Sequence, residues 1–234
     1  MSIPIISIFA KITLIVLATL PALANANQPC DIETTKKSYL QLDTNDREVR
    51  REFVRNLEAL SQAAKDRGTE ISDQEMITIL RPLRDTDKKN QALLEEIVST
   101  CGWPTYEKWG ATAVYAAVTV ALHSPQPIRK KYFPNVEHGY KRGDVAVQEY
   151  AQYVDKLLTG ENKPQRYGTQ RSKFKDQPEQ IKPVEDPAHL NDRRQAIGLK
   201  PLGDFPMPSN WPSSQPQSAS KADSAAAPQA TNTK

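Results

Sequence analysis

Cysteine, histidine and glycine are scarce in this 234-residue chain, at two, three and nine residues, and neither sign of charge dominates. Two cysteines are too few for a small scaffold built on disulfides. The histidines, His123, His138 and His189, form no His-x-x-x-His or His-Glu-x-x-His spacing that would put two imidazoles on one helical face, so no metal site is expected. The glycines form neither a phosphate loop nor Gly-x-Gly-x-x-Gly, and Gly-x-Ser-x-Gly is missing too. The usual hydrolase and nucleotide signatures are therefore lacking, and no cofactor is expected. With 31 Lys+Arg against 28 Asp+Glu, the net charge of +3 excludes a strongly basic nucleic-acid binder. Arg129, Lys130, Lys131, Tyr132 and then Tyr140, Lys141, Arg142 interleave cations with aromatics, but in so neutral a chain this pattern reads as a solvated helix face.

Long apolar runs are confined to the first residues. Lys11 is the only charged side chain before Asp31, Ile12 to Leu20 is almost wholly apolar, Pro21 breaks the run, and Ala24-Asn25-Ala26 offers small residues to a signal peptidase. The apolar stretch falls short of the roughly 20 residues that span a bilayer. Residues 1–26 are thus expected to be a cleaved signal peptide, leaving a periplasmic or secreted protein with no stable membrane insertion after processing. In that oxidising setting Cys30 and Cys101 are expected to pair, the alternative being two free thiols with Cys101 buried. At the other end, residues 207–234 are rich in Ala, Ser and Pro, with Met207 and Trp211 the only large apolar groups. Such a composition cannot bury enough surface to offset its ordering entropy, so a disordered tail is expected.

Between these ends, residues 27–206 read as one compact helical domain. Asp43, Thr44 and Asn45 offer cap oxygens to a stripe of Val49, Phe53, Leu57, Leu60 and Ala64 that stops at Gly68. Ser72-x-x-Glu75 is a capping box ahead of Met76 to Leu83, Pro82 predicts a kink or stop, and Asp85 or Asp87 can restart a helix that ends at Gly102. Thr105 caps a segment apolar all round from Gly110 to Leu122, the pattern of a buried central helix. Asp144 opens a helix with Tyr150, Val154 and Leu158 on one stripe, and Asp186-Pro187 opens a last one closed by Gly198. Only Gln165 to Phe174 and Ile181 to Val184 read as extended. The fold class is therefore mainly α, with a small β-hairpin near the C-terminal end.

Two clusters invite a functional reading. One is Gly102-Trp103-Pro104-Thr105 with Trp109-Gly110, at the entry to the helix whose far end carries His123; the other is Gln165-Arg166-Tyr167-Gly168-Thr169-Gln170. Each has a structural alternative, a helix-entry staple and a self-bonded turn. These motifs, with Pro183-Val184-Glu185-Asp186-Pro187, Asp192-Arg193-Arg194 and Gly198-Leu199, resemble an uncharacterised bacterial family, domain of unknown function 6624. The resemblance runs from about Asp85 to Leu202, and more weakly back to Asp46-Arg47. It implies a shared fold but supplies no reaction. Leu122 stands where the family usually has Gln, and Lys156 where it usually has Arg.

The leading expectation is a non-enzymatic binding or interaction domain of the cell envelope, holding a protein, peptide or glycan ligand near Trp103, Gln165, Tyr167, Gln170 and Arg194, and no nucleic acid. The alternative is an enzyme acting on a small polar substrate, with His123 as general acid or base and Asp155 orienting it. Either way, His123, Asp155, Gln165, Tyr167 and Gln170 are expected around one pocket beside Trp103.

Overall fold

A computed structural model describes residues 30–172 and 180–203. The proposed processing site, Phe174 and the C-terminal tail lie outside the described residues. Seven helices and a two-stranded sheet make up the described chain, in agreement with a mainly α fold and a hairpin near its end.

The first helix, α1 (Ile32–Asp66), begins earlier than its sequence predicts. Asp31 is the true N-cap, its carboxylate accepting from the Thr34 N–H at 2.6 Å. Asp43, Thr44 and Asn45 lie inside the helix, because Tyr39, Leu42, Asp46 and Val49 continue the buried stripe backwards by three and four residues. The second helix, α2 (Asp73–Cys101), starts at the Ser72/Glu75 capping box and runs unbroken through Pro82 to Gly102. Pro82 is exposed there, so its ring meets solvent while the flanking turns hold the helix together.

Thr105 caps only a short turn, α3 (Tyr106–Trp109), and not the central helix itself. Gly110, at φ +81°, then turns the backbone into α4 (Ala111–His123), a conformation that only glycine adopts without strain. As its composition predicts, α4 is central: Ala113, Val114, Ala116, Ala117, Val118, Val120 and Ala121 are all buried, and it packs on α1, α2, α3, α5 (Gln126–Arg142) and α6 (Val147–Thr159). Alanines at that surface let neighbouring backbones come close, which is how one short helix can serve five partners. Of the face expected to be solvated, Lys130, Lys131, Lys141 and Arg142 are exposed on α5, with Lys131 paired to Glu95 at 2.8 Å and Lys141 to Glu137 at 3.1 Å, whereas Tyr132 is buried in the core and Arg129 is half-buried.

Asp144 does not cap α6. It pairs with Arg142 at 2.8 Å, while Glu149 accepts from the Ala146 N–H. Beyond α6, β1 (Arg171–Ser172) pairs antiparallel with β2 (Gln180–Ile181), and a 3-10 turn at Pro187–His189 leads into α7 (Leu190–Ala196). Among the described residues, no helix is long and apolar enough to cross a membrane. The sulfurs of Cys30 and Cys101 lie at disulfide-bonding distance, with Cα atoms 5.1 Å apart.

Candidate functional site

The residues singled out by sequence separate into two groups. Asp155, fully buried on α6, accepts four hydrogen bonds from one loop: the N–H groups of Arg166 (2.7 Å), Tyr167 (2.9 Å) and Thr169 (2.8 Å), and the Thr169 hydroxyl (2.8 Å). Burial drives its carboxyl above the usual range, and these neutral donors offset only part of that effect. Gln165 is likewise buried: its amide donates to the carbonyls of Gln170 and Lys182, both at 2.8 Å, and accepts from the Gln170 N–H at 2.7 Å. Arg194 donates to the carbonyls of Tyr167 (2.6 Å) and Lys200 (2.8 Å). Tyr167 packs against Ala151 and Leu199, and Trp103 lies tilted over Tyr132 with ring centres 5.0 Å apart. All of these contacts are internal to the fold.

His123 has a different carboxylate partner from the one expected. Its Nδ1 lies 2.9 Å from Oδ1 of Asp46 on α1, a residue whose side chain is only 8% exposed. The same oxygen accepts from Arg50 Nε at 3.0 Å, and Arg50 Nη2 reaches Oδ1 of Asp87 on α2 at 2.6 Å. Burial alone would raise the Asp46 pKa, but hydrogen bonds from His123 and Arg50 outweigh it and hold the carboxyl below its usual value. A carboxylate has no proton to give, so Nδ1 is the donor, and Nε2 of the neutral ring keeps its lone pair. For Asp87, burial outweighs the pull of Arg50, and its pKa is raised.

This centre stands between two clefts, both lined by His123. One, of about 430 Å³, is walled by Asp46, Arg47, Arg50, Tyr115, Thr119 and Gln152. The other, of about 560 Å³, is walled by Arg84, Asp87, Lys88, Gln91, Ser124 and Arg129. Neither is lined by Trp103, Asp155, Gln165, Tyr167 or Gln170. Carboxylate oxygens of Asp46 and Asp87 and a ring nitrogen of His123 lie within 4.8 Å of one another, close enough to ligate one cation. Arg50 already bonds both carboxylates, and its fixed charge opposes a second cation there.

The model of a family of unknown function, DUF6624, matches residues 48–207, more than two thirds of the chain. The chain belongs to DUF6624. No curated protein and no solved structure matches it. The DUF6624 span contains Arg50, Asp87, His123 and Asp155 and starts two residues after Asp46. It also contains the Gly-Trp-Pro and Gln-x-Tyr-Gly-Thr-Gln motifs that carry the resemblance in the sequence.

Sequence reasoning missed Asp46, Arg50 and Asp87 as site residues. The available signal was an acid inside an apolar stripe: Asp46 takes the place of a hydrophobe between Leu42 and Val49, with Arg50 one turn later.

Proposed function

We propose that this protein is an exported acid–base enzyme for a small polar substrate, with His123 as the proton-transfer group and Asp46 as its orienting partner. The observation that carries this reading is the 2.9 Å bond from a buried carboxylate to the Nδ1 of a histidine that stays 24% exposed and lines two clefts. Asp46 fixes the ring through Nδ1, so Nε2 is left to take a proton from water or substrate and return it to a leaving group. Arg50, bridging Asp46 and Asp87, keeps both carboxylates in place as His123 cycles. The apolar leader ending in Ala24-Asn25-Ala26 and the cysteine pair at bonding distance support export.

A second reading, a binding domain without chemistry, is favoured by one observation: among the described residues, no serine, threonine, cysteine or lysine side chain bonds to His123 to serve as its nucleophile. In that case His123 and the clefts recognise a ligand, with the loop tied to Asp155, Gln165, Tyr167, Gln170 and Arg194 as a rigid wall. Hydrolysis of nitrophenyl esters, phosphates and glycosides by the purified chain decides between the two. His123→Ala is expected to lower turnover by about 10²–10⁴-fold. Asp46→Asn should also lower it, while both variants keep the native helical circular dichroism. Turnover that survives His123→Ala refutes the acid–base reading.

A further inference from the structure

The α1–α2 hairpin outruns the helix that covers it. α1 has 35 residues and α2 has 29, but α4, which packs on both, has 13 and ends at His123, level with Asp46 and Asp87. Beyond that level the apolar stripe continues, through Phe53, Leu57 and Leu60 on α1 and Met76, Leu80 and Leu83 on α2. Among the described residues none of these six joins a cluster of buried hydrophobics, and Ala64 is the only buried residue between Arg50 and Lys89. Two apolar side chains are left in the open, Val54 at 50% and Ile77 at 43% exposure. Two helices alone cannot enclose such a stripe, since each covers only the side turned to the other.

The open side is the one that α4 covers nearer the cysteines. Arg50 joins Asp46 and Asp87 at the His123 end of α4. Val54 and Leu57 follow Arg50 at steps of four and three, so they lie on the same face of α1. On α2, Ile77, Leu80 and Arg84 lead to Asp87 at steps of three, four and three. Asp73 and Arg81 stand one turn before and one turn after Ile77. Among the described residues, neither of these two side chains makes a hydrogen bond or an ion pair.

We propose that this face pairs with the same face of a second copy, the two hairpin ends crossing antiparallel about a twofold axis at Ile77 to form a four-helix bundle. Self-complementarity selects a second copy over an unrelated protein. A twofold axis through Ile77 sets Asp73 of each chain against Arg81 of the other. The acid and the base that lack partners within one chain thus pair twice across the axis, while Val54, Leu57, Ile77 and Leu80 close over one another. The overlap of the two α2 helices from Asp73 to Arg84 runs about 16 Å. It brings the turn after Asp66 of one copy alongside Arg84 and Lys88 of the other, two residues that line a cleft with His123. The second copy therefore completes the rim of that cleft.

Sedimentation equilibrium of the purified chain tests this. A monomer–dimer equilibrium with Kd at or below about 10 µM is expected. Val54→Arg and Ile77→Arg replace exposed side chains, so each should keep the native helical circular dichroism and weaken dimerisation at least about tenfold. Asp73→Arg and Arg81→Asp should each weaken it too, and the double variant should return to within about threefold of wild type. A chain that stays monomeric at about 100 µM, an unchanged Kd in both apolar variants, or a double variant no tighter than either single one overturns the proposal. A chain shortened to end at Gly203 addresses the other occupant. Dimerisation that appears only in the shortened chain gives the face to the chain's own last residues and overturns the proposal; equal dimerisation with and without them supports the second copy.

Discussion

Two buried aspartates show how neighbours decide the fate of one carboxyl group. Asp46 is faced by His123 and Arg50 and is held ionised, with its pKa lowered; Asp155 is faced by backbone amides and a hydroxyl, and its pKa is raised by burial. Their effects on acid stability have opposite signs. A lowered native pKa means that the unfolded chain binds the proton first, so the Asp46 contribution is present above about pH 4 and is lost as pH falls through the lower native value. A raised native pKa means that the fold binds the proton first, so the Asp155 contribution grows as pH falls through the raised value. Asp46→Asn should therefore flatten the loss of stability below about pH 4, whereas Asp155→Asn should remove the gain that develops above about pH 4 as pH falls through the raised native value, as read from urea unfolding at successive pH values. At neutral pH, Asp155→Asn should also cost about 1–3 kcal/mol, because an amide NH₂ cannot accept from the loop's N–H groups. Of the candidate site, His123 was legible in sequence as the polar end of an apolar helix. Asp46 was not, because reading Asp43, Thr44 and Asn45 as caps puts it in a solvated first turn. Only the three turns before them, with Tyr39 and Leu42 buried, place it on the core-facing stripe.

Helix α2 carries a local contradiction that its neighbours override. Pro82 has no N–H for the carbonyl four residues earlier, yet the helix continues from Asp73 to Cys101, because Leu94, Ile97 and Asn90 beyond the proline are buried. Packing decides the path, and the proline remains a standing cost. Pro82→Ala should raise stability, by up to about 3 kcal/mol, as a shift in the urea midpoint with an unchanged slope. Unchanged stability would mean that the helix is already bent to accommodate the ring. The same competition explains which elements were legible. The burial of α4, the Ser72/Glu75 box and the Gly198 stop of the last helix were readable, but α4 and α7 begin without the side-chain caps expected from Thr105 and Asp186, the latter opening only the 3-10 turn before α7. The unbroken α2 was not readable, since a proline is local information and the packing that spans it is not. Thr105 and Asp144 misled for a related reason: a good cap residue can serve a four-residue turn or an arginine as well as a long helix.

At the scale of the molecule, α1 and α2 form a long hairpin closed at both ends. A short turn after Asp66 joins them at one end; at the other, Cys30 just before α1 meets Cys101, the last residue of α2. Asp46, Arg50 and Asp87 lie along this hairpin between the two closures, and α4 presents His123 to them. The spacing that lets Arg50 bridge both carboxylates thus depends on the two helices staying in register at the cysteine end, where buried Thr35 also contacts the Cys101 sulfur at 3.4 Å. A bond closing a loop of 71 residues is worth about 4 kcal/mol on the chain-entropy model. Cys30→Ser/Cys101→Ser is expected to lower stability by about that amount and to loosen the His123–Asp46 pair, seen as a shift of the imidazole tautomer populations by NMR. Non-reducing mass spectrometry should find the native protein two hydrogens lighter than its reduced form. Full labelling of both cysteines by a thiol reagent in the native protein would refute the bond, and the hairpin would then owe its register to packing alone.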